Sequence, residues 1–184
     1  MIVYRLLNLN YGSGLSGKGA GIAGGRWNSP GISMIYTSES RALCTAEVAV
    51  NLPLGNIPIG FEMISILIPD DIILTGIGEE DLPSGWKIFP LATLTKKIGD
   101  QFIIQGKYLV MKVPSAVVPG DFNYLINPAH PKIGSISISE HSPFTFDARL
   151  FPRAPDLPDR DTLVRVLEKG DAPLELKSKI LALY

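Results

Sequence analysis

Apolar residues fall along this chain in short runs, some alternating with polar ones and some spaced at helical intervals. Residues 2–7 (Ile-Val-Tyr-Arg-Leu-Leu) predict a first strand and residues 32–37 a second, in which Ile32, Met34 and Tyr36 share a face. The segment between them, Asn28-Ser29-Pro30-Gly31, suits a type II turn with Pro30 and Gly31 as its central residues. Residues 38–52, SESRALCTAEVAVNL, predict a helix capped by Ser38, with Glu39 in its first turn and Pro53 ending it. Further strands are expected at 61–68, near 71–74 and at 108–113, and the alternating IGSISIS of 133–139 predicts a half-exposed strand. Residues 90–105 predict a helix whose stripe is Leu91, Leu94, Ile98 and Phe102, stopped by Gly106. Prolines crowd residues 152–158, a predicted linker, and 160–169 and 173–183 predict two short helices around Gly170. This order is not a regular βαβ alternation, so the expected fold class is α+β, with mainly antiparallel sheet and flanking helices.

Composition narrows this picture. A chain of 184 residues with 46% hydrophobic side chains suits one domain with one core. The 17 basic and 18 acidic residues leave a net charge of −1, which argues against direct nucleic-acid binding. Cys44 is the only cysteine, so no internal disulfide can form, as suits a reducing compartment. The start, MIVYRLLNLNYGSG, lacks the basic and long apolar regions of a signal peptide, and no apolar run approaches the roughly 20 residues of a membrane span. A soluble cytoplasmic protein is the expectation.

The glycine run at 12–31, GSGLSGKGAGIAGGRWNSPG, carries near-matches to two nucleotide motifs. Gly12, Gly14 and Gly17 fit G-x-G-x-x-G, and Gly12 with Gly17-Lys18 fits a P-loop, except that Gly19 stands where Ser or Thr should hold magnesium. The following AGIAGGRW is too rich in glycine for the phosphate-facing helix both motifs need, at about 1 kcal/mol per glycine. Neither motif is supported, and the run is expected to be a loop.

Glu47 is the more telling oddity. It shares a helical arc with Leu43, Ala46 and Val50, so a carboxylate occupies an inward face. Either it pairs with a cation such as Arg5 or Arg26, or it is an acid at the edge of a cleft. Tyr36, just before that helix, can be a core aromatic or share the opening. Ser115 follows a strand and can cap a turn or face a cleft, with Asn123, Asn127 and His130 beyond it. His130 and His141 have no metal-ligand spacing and Cys44 has no partner, so neither a zinc site nor a Cys-His protease is expected.

YRL, LSGKGA, GGRWNSPG, MIYTSES, the helix carrying Glu47, VPSAVVPGDFNYLINPAHP and PFTFDARL occur in the order seen in RES-domain proteins, which this chain resembles over residues 3–150. The resemblance implies a domain at 1–151, a C-terminal extension at 152–184, and a fold similar to ADP-ribosyltransferases. It implies a toxin of a bacterial toxin–antitoxin pair that consumes NAD⁺ as substrate, without a metal. The alternatives are transfer of ADP-ribose to a protein and a non-catalytic domain that binds a nucleotide or partner. An Xre-like antitoxin is the implied partner, with room for a homodimer in the complex. Residue by residue, the family's arginine, tyrosine, glutamate and serine fall on Arg26, Tyr36, Glu47 and Ser115, the expected catalytic set. Arg5, Trp27, Asn28 and Asn123 are the expected ligand-binding set. Glu47 would stabilise a cationic ribose, Arg26 would hold the diphosphate, Tyr36 and Trp27 would offer nicotinamide an aromatic face, and Ser115 would hold a ribose or phosphate oxygen. Many relatives carry a basic residue where this chain has Gly21.

Overall fold

The strand-forming runs assemble into one seven-stranded sheet in the computed structural model, which describes residues 1–8, 14–52, 58–88 and 93–151. The strands are β1 (Ile2–Asn8), β2 (Ile35–Ser38), β3 (Phe61–Leu67), β4 (Leu74–Gly76), β5 (Val110–Pro114), β6 (Phe122–Ile126) and β7 (Ser137–Phe144). Their order across the sheet is β4-β5-β6-β2-β1-β3-β7, and every pair is antiparallel except β4 with β5. The α+β, mainly antiparallel class is therefore correct. Among the described residues three α-helices accompany the sheet: α1 (Lys18–Ala23), α2 (Arg41–Ala49) and α3 (Thr93–Gln105). The described residues up to Leu150 belong to one compact unit. The expected linker at 152–158, the helices at 160–169 and 173–183, Gly12, Pro53 and Leu91 lie outside the described residues.

Side-chain alternation sorts the sheet's apolar residues into two clusters. Val3, Leu7, Ile35, Ile64, Ile66, Val110 and Ile126 pack in one. Their strand neighbours Met34, Met111, Val113 and Leu125 join Trp27, Trp86 and Phe102 in the other. Successive side chains point to opposite faces, so a strand such as β6 feeds both cores. Each fully buried Leu, Ile or Met stabilises the fold by about 1.5–3 kcal/mol.

Four expectations need correction. The glycine run is not all loop, because Lys18–Ala23 is helical. Its helix survives the glycines through tertiary bonds: the Asn28 amide donates to the Ala20 carbonyl at 2.7 Å, and the Gly31 N–H to that of Gly21 at 2.7 Å. The cap of α2 is Ser40, whose hydroxyl accepts from Leu43 N at 3.0 Å, while Ser38 ends β2 and Glu39 instead receives the Phe122 N–H. In α3 the buried stripe is Thr95, Gly99 and Phe102, and Leu94 is exposed, because Gly99 packs on the backbone of Trp27. The strand expected at 133–139 begins later, at Ser137, after a 3₁₀ turn at Ile133–Ser135. The turn before β2 is as expected: Ile32 N donates to Ser29 O, and Gly31 has φ +95°, a region that favours glycine.

Candidate active site

Three elements and one loop bring five of the expected residues, Arg26, Trp27, Tyr36, Glu47 and Asn123, to a single cavity of about 630 Å³, within the range of small-molecule sites. β2 contributes Tyr36, α2 contributes Glu47, and β6, which pairs with β2, contributes Asn123. The loop after α1 contributes Gly24, Gly25, Arg26 and Trp27. Val48, Val50, Pro114, Ala116 and Val117 form the apolar part of the wall.

Glu47 makes no ion pair among the described residues. Its Oε1 accepts two hydrogen bonds, from Ser115 Oγ at 2.7 Å and from Asn123 Nδ2 at 2.6 Å. Of the two readings open for Ser115, the turn cap is the one the structure shows. Its oxygen receives the Val117 and Val118 N–H groups at 3.0 and 2.9 Å, closing the turn after β5, while its proton goes to Glu47. Ser115 is fully buried and is not on the cavity lining, so it orients the carboxylate from behind.

Arg26 reaches the same lining, and its guanidinium donates to the Trp86 carbonyl at 2.7 Å. Burial pulls its pKa below the usual guanidinium value, opposed chiefly by the nearby Glu47. The Arg26 loop is held from α3: Thr95 Oγ1 donates to the Arg26 carbonyl at 2.8 Å, and Asp100 accepts from the N–H and hydroxyl of Ser29 at 2.8 and 2.6 Å. Nothing in the sequence alone pairs Thr95 or Asp100 with this loop.

The hydroxyl of Tyr36 is fully engaged. It donates to Asn28 Oδ1 at 2.7 Å and accepts the Trp27 N–H at 3.0 Å. Burial drives the phenol pKa well above its usual value, so the hydroxyl stays protonated and only the ring is offered to a ligand. Gly25 permits this arrangement, since a Cβ there would sit 2.5 Å from the Tyr36 oxygen.

The structure does not bring Arg5 or Asn28 to the cavity lining. Asn28 is fully buried, its amide also donating to Ile32 O at 2.8 Å, and it ties α1, the Arg26 loop and β2 together. Alternation along β1 sets Arg5 with Val3 and Leu7, away from Tyr36, and its guanidinium donates to the Tyr36 carbonyl at 2.9 Å. Burial lowers its pKa. Trp27 lines the cavity but is itself core, its ring centroid 6.2 Å from that of Trp86. Among the described residues no cluster of His, Cys, Asp or Glu could hold a metal, and no helix is long and apolar enough to cross a membrane.

A mainly antiparallel α+β domain, with an oriented carboxylate, an arginine and an aromatic ring around one small-molecule cleft, is the class that fold and site define. The family described as RES domain matches residues 2–147. The chain belongs to the RES-domain family. It is 34% identical over 142 residues to a protein of Sphingobium sp. named Prs ADP-ribosylating toxin, covering 76% of this chain and 88% of that one. It is 33% identical over 152 residues to a Yersinia enterocolitica protein named Toxin Res, covering 82% of this chain and 99% of that one. Among solved structures, that of the M. tuberculosis MbcT–MbcA toxin–antitoxin complex contains a chain of similar fold. Its TM-score is 0.59 at 19% identity, with 78% of this chain and 84% of that chain covered.

Proposed function

We propose that this chain is the toxin of a toxin–antitoxin pair and that its cavity binds NAD⁺ and breaks the bond between the nicotinamide nitrogen and the ribose. The observation that carries this reading is the Glu47 carboxylate on the cavity lining, oriented by two hydrogen bonds, with Arg26 on the same lining. As the bond breaks, its electron pair leaves with the nicotinamide nitrogen, which becomes neutral, and positive charge develops on the sugar. A fixed carboxylate stabilises that charge without having to reorganise. The forked, permanently charged guanidinium of Arg26 is the natural holder of the diphosphate. The Tyr36 ring and the apolar wall of Val48 and Val117 suit the nicotinamide.

Water completing the reaction would give ADP-ribose and a proton, phosphate would give its phosphate ester, and a protein nucleophile would be ADP-ribosylated. The relative named as an ADP-ribosylating toxin favours keeping protein transfer as the second reading. An Xre-like antitoxin is the proposed partner, in the cytoplasm, with a homodimer within the complex. The test is chromatography of the products from NAD⁺ with and without phosphate, alongside labelled NAD⁺ in lysate. Release of nicotinamide with free ADP-ribose, or with an ester in phosphate, supports NAD⁺ depletion; label on a protein supports transfer. Binding by calorimetry without either outcome would make the chain a nucleotide-binding domain instead.

A further inference from the structure

The bonds behind Glu47 continue one residue further than the site as described. Asn123, on β6, gives its Nδ2 to Glu47 Oε1 at 2.6 Å, and its Oδ1 accepts from Ser38 Oγ at 2.7 Å. Ser38 is buried at the end of β2, directly opposite Asn123 in the strand register. A carboxylate only accepts, so Asn123 must turn its NH₂ to Glu47 and its carbonyl to Ser38. An amide is nearly symmetric in shape, and the hydroxyl that donates to its oxygen adds a second tie to the orientation the carboxylate demands. Ser115 accepts two backbone N–H groups and has one proton left, which goes to the same Oε1. Both donors therefore converge on one oxygen, and no hydrogen bond from the other described residues named above reaches Oε2.

We infer that Ser38 is a positioning residue: through Asn123 it helps lock the Glu47 carboxylate, with Oε1 held by two donors, on the cavity lining. This rests on the proposed reading of Glu47 as the group that meets the cationic sugar. Ser38 does not line the cavity, so its removal leaves the substrate's contacts intact and acts on the rate.

The test is nicotinamide release from NAD⁺ by purified Ser38→Ala, Asn123→Ala and the double variant. Ser38→Ala is expected to lower kcat about tenfold, the scale of one oriented hydrogen bond, with KM within about twofold of the wild type. Ser38 also makes a side-chain hydrogen bond with Cys44, which does not line the cavity; because its path to Glu47 runs through Asn123, adding Ser38→Ala to Asn123→Ala is expected to lower kcat no further. Ser38→Thr keeps the hydroxyl and should restore the rate. Ser38→Cys, similar in size and a weaker donor, gives the same reading should the alanine variant fold poorly. An unchanged kcat, additive losses, or a threonine variant as slow as alanine overturns the inference. If the wild type releases no nicotinamide, the proposed function fails, and a crystal structure of Ser38→Ala decides the lock alone. The expected result there is a rotated Asn123 amide or a displaced Glu47 carboxylate, and both groups unmoved would refute it.

Discussion

Gly25→Ala isolates the junction that holds the arginine loop against the sheet. The residue does not have a positive φ, so alanine meets no backbone strain there; the obstacle is space. A Cβ at this position lies 2.5 Å from the Tyr36 hydroxyl oxygen, 2.9 Å from Asn28 Oδ1 and 3.0 Å from the ring carbon bearing the hydroxyl. The hydroxyl must move, breaking its 2.7 Å bond to Asn28 and the 3.0 Å bond it accepts from Trp27 N. Asn28 and Trp27 are buried, and each buried polar group left unpaired costs about 1–3 kcal/mol, so with partial relaxation the loss is about 2–4 kcal/mol. For a domain of this size that lowers Tm by roughly 5–15 °C. The decisive comparison is with Tyr36→Phe, which removes the closest atom and already leaves those partners unpaired. In that background Gly25→Ala should add under about 1 kcal/mol, because only the tighter ring and amide contacts remain. Urea unfolding of the wild type, both single variants and the double variant measures this. Additive losses, or a single Gly25→Ala variant within about 0.5 kcal/mol of the wild type, would refute it.

Other variants probe the same loop and its surroundings. At Gly99 a Cβ would overlap the Trp27 carbonyl oxygen, so Gly99→Ala should unfold the protein or displace the arginine loop, read as lost solubility or as a large fall in Tm. Asp100→Asn keeps the shape but loses the charge that receives two bonds from Ser29, and should cost about 1–3 kcal/mol in urea unfolding. Burial pushes the Cys44 thiol up to about 11, so a thiol reagent at pH 8 should label it only after denaturation. The same shift has a consequence for stability. Between the unfolded value near 9 and the folded value of about 11 the native state holds the extra proton, so stability should fall as pH rises through that window, and Cys44→Ala should flatten the slope.

Glu47 was legible in the sequence because a charge on an otherwise apolar helical face is conspicuous, and its neighbour Tyr36 could be placed by strand period alone. The partners of Glu47 were harder. Ser115 and Asn123 lie 68 and 76 residues away, and only the pairing of β6 with β2 brings Asn123 beside α2. β6 was not among the expected strands, because Leu125 breaks the alternation of Phe122, Tyr124 and Ile126 with polar residues, and prolines and asparagines flank it. α1 was missed for a different reason. Its glycines disfavour a helix locally, and the bonds that hold it come from Asn28 and Gly31, after the helix has ended. Asn28 shows the limit of residue chemistry as a guide: the same amide that could bind a ligand serves here as a buried tie between backbone carbonyls. Gly99 and Asp100 act across the fold on the arginine loop, and helical periodicity cannot anticipate a partner about 70 residues away.

The central claim is that the Glu47 side chain stabilises charge on the sugar and does little to bind the nucleotide. Single-turnover release of nicotinamide from NAD⁺ by Glu47→Gln, with NAD⁺ affinity measured by calorimetry on the same preparation, tests this most directly. The expected result is affinity within a few-fold of the wild type and release slowed about a hundredfold, the scale of one lost electrostatic group. Release at the wild-type rate would contradict it.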